Sequence, residues 1–413
     1  MDYDVVIVGG GLAGGSCAEM LRESEFSGSV AVVAAEAHAP YHRPPLTKSF
    51  VRGETDEQDA LLEPTSWYAG HDIDLLLHRT ATAIDPEQRC VWLDDGSSIG
   101  YGRLVLATGA EPRSPEWDGI ESVADRVFTI RTLEDSERVR DHLRPGTSWL
   151  VVGGGYIGVE TAASACECGC DVTLVMREEV LWEQFYGPEV GGYFQRRLAE
   201  HGVDVQPHQD IVQVEALDGG GVRATTSGGL VLDVDYVLAG IGVQPRIDLA
   251  VACGLEVDKG VLCDEFLVTS DPAIYAAGDI AQYESVVHGS RMRIEHWDVA
   301  RRQGRYVAER IAGVLPADVA FDAVPYFFSE LGSWGSMQYV GPGMGDVVIR
   351  GDMEEDSFAA VYLKDDRLVA LLAVDHHDDL VAARHLLPDH PKMDRRLLAD
   401  ESVPLAEASV SNA

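Results

Sequence analysis

Two short glycine strings carry the spacing that a bound dinucleotide needs. Gly9-Gly10-Gly11-Leu12-Ala13-Gly14 and Gly153-Gly154-Gly155-Tyr156-Ile157-Gly158 both read G-x-G-x-x-G. In such a string the first glycine permits a tight turn and the second lets the backbone approach a pyrophosphate. The third seats a helix against a sheet. The helix that follows turns its unpaired amides and its positive end toward the phosphates. Glu36, beyond the next apolar run, is placed to accept hydrogen bonds from a ribose. One such string is a weak signal, but two in one chain point to two dinucleotides.

The elements that must carry these strings are legible around them. Asp4-Val5-Val6-Ile7-Val8 is an apolar strand running into the first glycines, a helix follows to about Ser24, and Val30-Ala31-Val32-Val33 is the next strand. Arg103-Leu104-Val105-Leu106-Ala107 is a further buried strand, ending in Thr108-Gly109. The pattern then restarts: Ser148–Val152 leads into the second glycines, a helix spans about Ile157 to Cys168, and Val172–Val175 follows. This reads as a doubly wound α/β unit present twice in unlike sequence. From about Ala323 the texture changes to alternating strands with a helix near Asp379 to Leu387, which predicts a third, α+β domain.

With 413 residues the chain has room for two or three domains. Its net charge of -37 argues against nucleic acid as a partner. Only Lys48, Lys259, Lys364 and Lys392 are lysines, so arginine supplies most of the positive charge. The seven cysteines, the absence of a signal-like start and the lack of any run long enough to span a bilayer predict a cytoplasmic protein without membrane attachment. Cys166, Cys168 and Cys170 alternate along a helix rather than sharing a face, so no metal site is expected there. None is expected at His376-His377 either.

Further motifs in order give the chain a resemblance, over essentially its whole length, to the two-dinucleotide-binding-domain flavoproteins. Ala107-Thr108-Gly109 looks like the motif where that family's chain leaves the FAD domain. Ala276-Ala277-Gly278-Asp279 looks like its second FAD motif, and Gly242-Val243-Gln244-Pro245 resembles its crossing segment. Within the family, Tyr41-His42-Arg43-Pro44-Pro45-Leu46-Thr47-Lys48 resembles a segment of the ferredoxin and rubredoxin reductases that serve oxygenases. Thr132-Leu133-Glu134-Asp135, Glu295-His296-Trp297 and Val324–Glu330 resemble other segments of the same group. Tyr326, Phe328 and Glu330 depart from its pattern, and His296-Trp297-Asp298 is also reminiscent of apoptosis-inducing-factor-like reductases. No cysteine stands near Lys48, where disulfide reductases of the superfamily need one.

The resemblance implies an FAD-binding domain of residues 1–112 and 245–322, an inserted NAD(P)H-binding domain of 113–244, a C-terminal α+β domain of 323–403 and a flexible tail of 404–413. It implies FAD contacts from Gly9, Gly11, Leu12, Ala13, Gly14, Glu36, Arg43, Lys48, Ala81, Ala107, Thr108, Gly109, Arg131, Gly278, Asp279, Glu295, His296, Trp297 and Phe328. Contacts to NAD(P)H are implied for Gly153, Gly155, Tyr156, Ile157, Gly158, Glu160, Met176, Arg177 and Gly242. Lys48, Glu160, Glu295 and Trp297 would serve the reaction itself, Glu160 by orienting the nicotinamide carboxamide.

Relatives selective for NADH usually place an acid where Met176 stands. Its loss, with Arg177 next to it, leans toward NADPH, while Glu178 and Glu179 would repel the extra phosphate. The implied activity is a ferredoxin–NAD(P)(+) reductase, in which a hydride passes to FAD and single electrons pass to a small ferredoxin-like iron–sulfur protein serving a P450 or Rieske oxygenase. An NAD(P)H:quinone or dye oxidoreductase and an apoptosis-inducing-factor-like redox-switched binding protein are the alternatives. The protein would be a monomer or homodimer. Arg291, Arg293, Arg301, Arg302, Arg305 and Arg310 crowd one segment, either as a positive docking patch or in ion pairs with the protein's own acids.

Overall fold

The structure, a computed structural model, describes residues 2–410. It divides into two compact units, one of Met1–Arg43, Glu57–Glu111 and Gln244–Pro325, the other of Pro44–Asp56, Pro112–Val243 and Tyr326–Ala413.

The first unit is built on a parallel sheet. Its strands run in the order Ile73–Leu76, Val30–Val33, Asp2–Val8 and Ser98–Leu106, and Ile274–Ala276 pairs with the last of these. Val5, Val6, Ile7 and Val8 are all buried, as a strand covered on both faces requires. Antiparallel strands Cys90–Leu93 and Ala81–Asp85 extend the sheet. The helix Leu12–Glu23 packs on the helix Trp297–Ala312. They meet at Gly304, where a β-carbon would lie 2.1 Å from the carbonyl oxygen of Ala13.

The second unit repeats the plan. Asp204–Gln206, Asp171–Val175, Ser148–Val152, Tyr236–Ala239 and Val127–Phe128 form a parallel sheet in that order. The helix Tyr156–Glu167 follows the second glycine string. A three-stranded antiparallel sheet, Ile211–Ala216, Val222–Thr226 and Val231–Val234, packs with it around Trp117, Val152 and Val214. The C-terminal part is a five-stranded antiparallel sheet in the order Tyr326–Leu331, Gly335–Val340, Arg367–Val374, Ser357–Lys364 and Asp346–Asp352, with the helix His377–Leu386.

These units cut the chain differently from the three domains expected. Pro44–Asp56 groups with the second nucleotide-binding unit because its backbone is bonded there: Ser136 donates to the Leu46 carbonyl at 2.6 Å and Ser164 to that of Thr47 at 2.7 Å. The C-terminal sheet belongs to the same unit, tied by Tyr362 donating to the Tyr186 carbonyl and by Tyr193 donating to Asp356. The stretch from Pro404, expected to be a flexible tail, makes a 3-10 turn over Leu405–Ala408 that buries both end residues. Residues 411–413 of that expected tail lie outside the described residues. The helix Glu183–Glu200, not anticipated from the sequence, is broken at Gly187, whose φ of 80° precedes Pro188.

Candidate cofactor sites

In the first unit the glycine string does what its spacing requires. Gly9 has a φ of +126°, and a β-carbon there would stand 2.0 Å from the Ala107 carbonyl oxygen. A β-carbon on Gly14 would stand 2.0 Å from the Gly9 oxygen, so the helix enters tight against the sheet. Gly11 caps the helix without any side-chain acceptor, and no acid occupies the first turn. Beside Gly11 the space is open, with the Arg43 guanidinium 4.0 Å from its β-carbon position. Amides left without partners at an unblocked, positively flanked helix start fit a pyrophosphate.

Glu36 is fixed close by. Tyr41 donates to one carboxylate oxygen at 2.5 Å and Arg43 to the other at 2.7 Å, while Arg43 also donates to the Tyr41 hydroxyl. Each oxygen keeps a further lone pair for a ribose hydroxyl.

Other expected FAD residues fall in the same unit. Ala81 and Ala107 are buried, Thr108 donates to the Arg246 carbonyl, and Gly109 has a φ of +69°. The Gly278 amide donates to the buried Gln303 at 2.8 Å, and Arg293 bridges the Asp279 carbonyl and the Glu295 carboxylate. His296 stands at the N-cap position of the helix Trp297–Ala312 without a side-chain bond to its amides, and burial pushes its imidazole down to about 4, so it is neutral at neutral pH. Trp297 donates its indole N–H to Nδ1 of His42 at 3.0 Å. Lys48, Arg131 and Phe328, expected with this group, belong to the other unit. The Arg131 amide donates to Asp135, which forms a capping box with Thr132.

The second unit repeats the cradle. Gly153 has a φ of +111° with its β-carbon position 2.4 Å from the Gly240 oxygen, and Gly158 faces the Gly153 oxygen at 2.2 Å. Gly155 again caps its helix without a side-chain acceptor. Tyr156 shares a hydrogen bond with Tyr186 at 2.6 Å and packs on Phe327, with ring centroids 4.3 Å apart. Gly242 has a φ of +96°, and its carbonyl accepts from the Arg113 amide.

Glu160 is buried. Its carboxylate takes Lys48 Nζ and Thr47 Oγ1, each at 2.5 Å, on one oxygen and Ser329 Oγ at 2.6 Å on the other. Phe328 lies 6.0 Å from the Lys48 ammonium. Thr47 and Ser329 were not singled out from the sequence, although both stand in segments that carried the resemblance. Met176 points into the core and is 1% exposed, so it is not a group that meets a ligand. Arg177, on which the lean to NADPH rested, is bound to Asp210 at 2.6 and 2.9 Å.

Residues 3–304 match the family described as pyridine nucleotide-disulphide oxidoreductase, and 327–409 match the reductase C-terminal family. The chain belongs to this oxidoreductase family. It is 36% identical to putidaredoxin reductase of Pseudomonas putida, over 98% of this chain and 96% of that one. It is also 36% identical to the ferredoxin–NAD(+) reductase component of the anthranilate 1,2-dioxygenase system of Burkholderia cepacia, covering 97% of this chain and 98% of the relative. The crystal structure of the covalent putidaredoxin reductase–putidaredoxin complex matches with a TM-score of 0.93 and 35% identity, over 98% of this chain and 97% of that one.

The chain is thus an oxidoreductase that uses FAD and a pyridine nucleotide, built on two Rossmann-like units and a C-terminal antiparallel sheet. The disulphide chemistry in the family's description has no counterpart in Pro44–Asp56, which contains no cysteine. Each of the seven cysteines is free. Among the described residues no group of three or more His, Cys, Asp or Glu could hold a metal, and no helix is long and apolar enough to cross a membrane.

Proposed function

We propose that this chain takes reducing equivalents from NADH and delivers them, through FAD, to a small iron–sulfur protein of the ferredoxin type that serves an oxygenase. The carrying observation is the buried cluster of Lys48, Thr47 and Ser329 on Glu160. A redox cysteine would have to stand in this segment if a disulfide were the acceptor. Thr47 and Lys48 stand there instead, both bonded to the carboxylate of Glu160 near the start of the second nucleotide-binding helix.

FAD supplies the chemistry that accepts a hydride and gives up electrons singly. In this reading Gly9, Gly11 and Gly14 admit its pyrophosphate, with the amides of Leu12 and Ala13, while Glu36 takes a ribose. Gly278 and Asp279 meet the chain between ribose and ring, and Glu295, His296 and Trp297 line the ring. The uncapped start of the helix Trp297–Ala312 places partial positive charge where reduction adds negative charge. Gly153, Gly155 and Gly158 admit the nicotinamide nucleotide, and Glu160 orients its carboxamide. Lys48, Thr47 and Ser329 hold Glu160 in one rotamer, which makes them positioning residues. NADH rather than NADPH is favoured because Asp210 already engages the charge of Arg177. The Burkholderia cepacia relative, named a ferredoxin–NAD(+) reductase component, points the same way.

The test is steady-state turnover with both nucleotides, using a ferredoxin coupled to cytochrome c and, separately, ferricyanide. The expected result is a higher kcat/KM with NADH and efficient ferredoxin-dependent reduction. Reduction of ferricyanide and quinones with no transfer to any ferredoxin offered would replace the proposed acceptor with a small molecule.

A further inference from the structure

The two nucleotide-binding units can be compared bond by bond within the one chain. The Gly9 amide donates to the Val33 carbonyl at 2.9 Å, and the Gly153 amide to that of Val175 at 2.8 Å. Next along each strand, the Ala34 amide donates to the Leu76 carbonyl and the Met176 amide to that of Gln206. Arg79 returns a bond to the Ala34 carbonyl, and Gln209 returns one to that of Met176. A β-carbon on Gly10 would meet Ala34, and one on Gly154 would meet Met176. Met176 is therefore the counterpart of buried Ala34, which explains why its side chain cannot serve a ligand.

The correspondence continues two residues further. The His78 amide donates to the Glu36 carbonyl at 3.2 Å, and the His208 amide to the Glu178 carbonyl at 3.3 Å. Both histidines take the left-handed backbone, with φ of 52° and 55°. Glu178 thus occupies in the second unit the place that Glu36 occupies in the first. It is half-buried and, unlike Glu36, its carboxylate has no side-chain partner among the described residues.

We propose that Glu178 accepts the hydrogen bonds of the adenosine ribose hydroxyls of the nicotinamide nucleotide and so sets its preference for NADH. The ligand acid of this unit stands two positions beyond the strand-end site that Met176 fills. A 2′-phosphate would meet the Glu178 carboxylate with like charge, and Arg177, bound to Asp210, does not offset it. This inference rests on the reading that NADH is the donor.

The experiment is calorimetric titration of the oxidised holoenzyme with NAD+ and with NADP+, for the wild type, Glu178→Ala and Glu179→Ala. In Glu178→Ala the affinity for NAD+ should fall about tenfold or more, as the loss of charge-assisted hydrogen bonds implies. The affinity for NADP+ should hold or rise, and Glu179→Ala should match the wild type. If Glu178→Ala keeps its NAD+ affinity to within about twofold while the wild type prefers NAD+, the role of Glu178 is overturned and the NADH reading stands. Equal loss for both nucleotides overturns it too, by showing that the residue only shapes the loop. A wild type that prefers NADP+ would overturn both the NADH reading and this inference.

Discussion

Lys48 and Glu160 are buried together, at 6% and 4% exposure, and neither charge could rest there alone. Removing one partner of such a pair strands the other in a medium that solvates it poorly, at a cost of about 3–5 kcal/mol. Lys48→Met should therefore lower the unfolding free energy of the holoenzyme by about that amount in urea titrations. Adding Glu160→Leu should recover much of the loss, although that double variant would lack the carboxylate proposed to orient the nicotinamide. A Lys48→Met protein within about 1 kcal/mol of wild type would show that Thr47 and Ser329 suffice to hold the carboxylate.

At the scale of elements, the same substitution should act in opposite directions at two glycines. Gly304 lies where the helix Trp297–Ala312 crosses Leu12–Glu23, and a methyl group there meets the backbone at Ala13 and Cys17, not a side chain that could turn away. Gly304→Ala should force the helices apart and cost about 2–3 kcal/mol or more, with FAD lost more readily because Ala13 heads the cradle. Gly192, inside the helix Glu183–Glu200, has nothing within 4 Å of its β-carbon position. Gly192→Ala should stabilise by about 0.5–1 kcal/mol. Thermal melts and FAD fluorescence of the two variants check both signs, and a stabilised Gly304→Ala would refute the close crossing.

These elements also mark what could be read from sequence. The glycine strings were legible because each glycine answers a local steric demand at fixed spacing. The grouping of Pro44–Asp56 was not, since it depends on Ser136 meeting Leu46 and Ser164 meeting Thr47, pairs some ninety and more than a hundred residues apart. Glu178 was read only as a charge repelling phosphate, because its equivalence to Glu36 appears in the backbone bonds and not in residue types.

On the scale of the whole molecule, 69 acidic residues face 32 basic ones, so more than half of the carboxylates have no cation available. The arginines around Trp297 do not form an unopposed patch. Arg291 is paired with Glu284, Arg293 with Glu295, Arg302 with Asp298, and Arg305 with Glu19 and Glu23. Arg310 donates to carbonyls at Pro316, Ala317 and Val319, while Arg301 lies over the Trp297 ring at 5.7 Å. Self-repulsion therefore dominates the long-range electrostatics. The melting temperature should rise as sodium chloride is added from about 10 mM to 150 mM, where the screening length falls from about 30 to 8 Å. Exposed ion pairs weakened by the same salt are worth about 0–1 kcal/mol each, too little to reverse the trend. A melting temperature that falls with salt would mean that the arginine pairs outweigh the repulsion.

The clamp that Tyr41 and Arg43 place on Glu36 also bears on time. A carboxylate already locked in its rotamer gives up little freedom when a ribose arrives, so at the proposed FAD site it binds without that ordering cost. Glu178 has no such clamp, must be ordered at every encounter and is released to motion at every departure. On the proposed roles, the pre-ordered acid suits a nucleotide that stays through many turnovers and the unordered one suits a nucleotide that leaves after each, a contribution of at most about 2 kcal/mol.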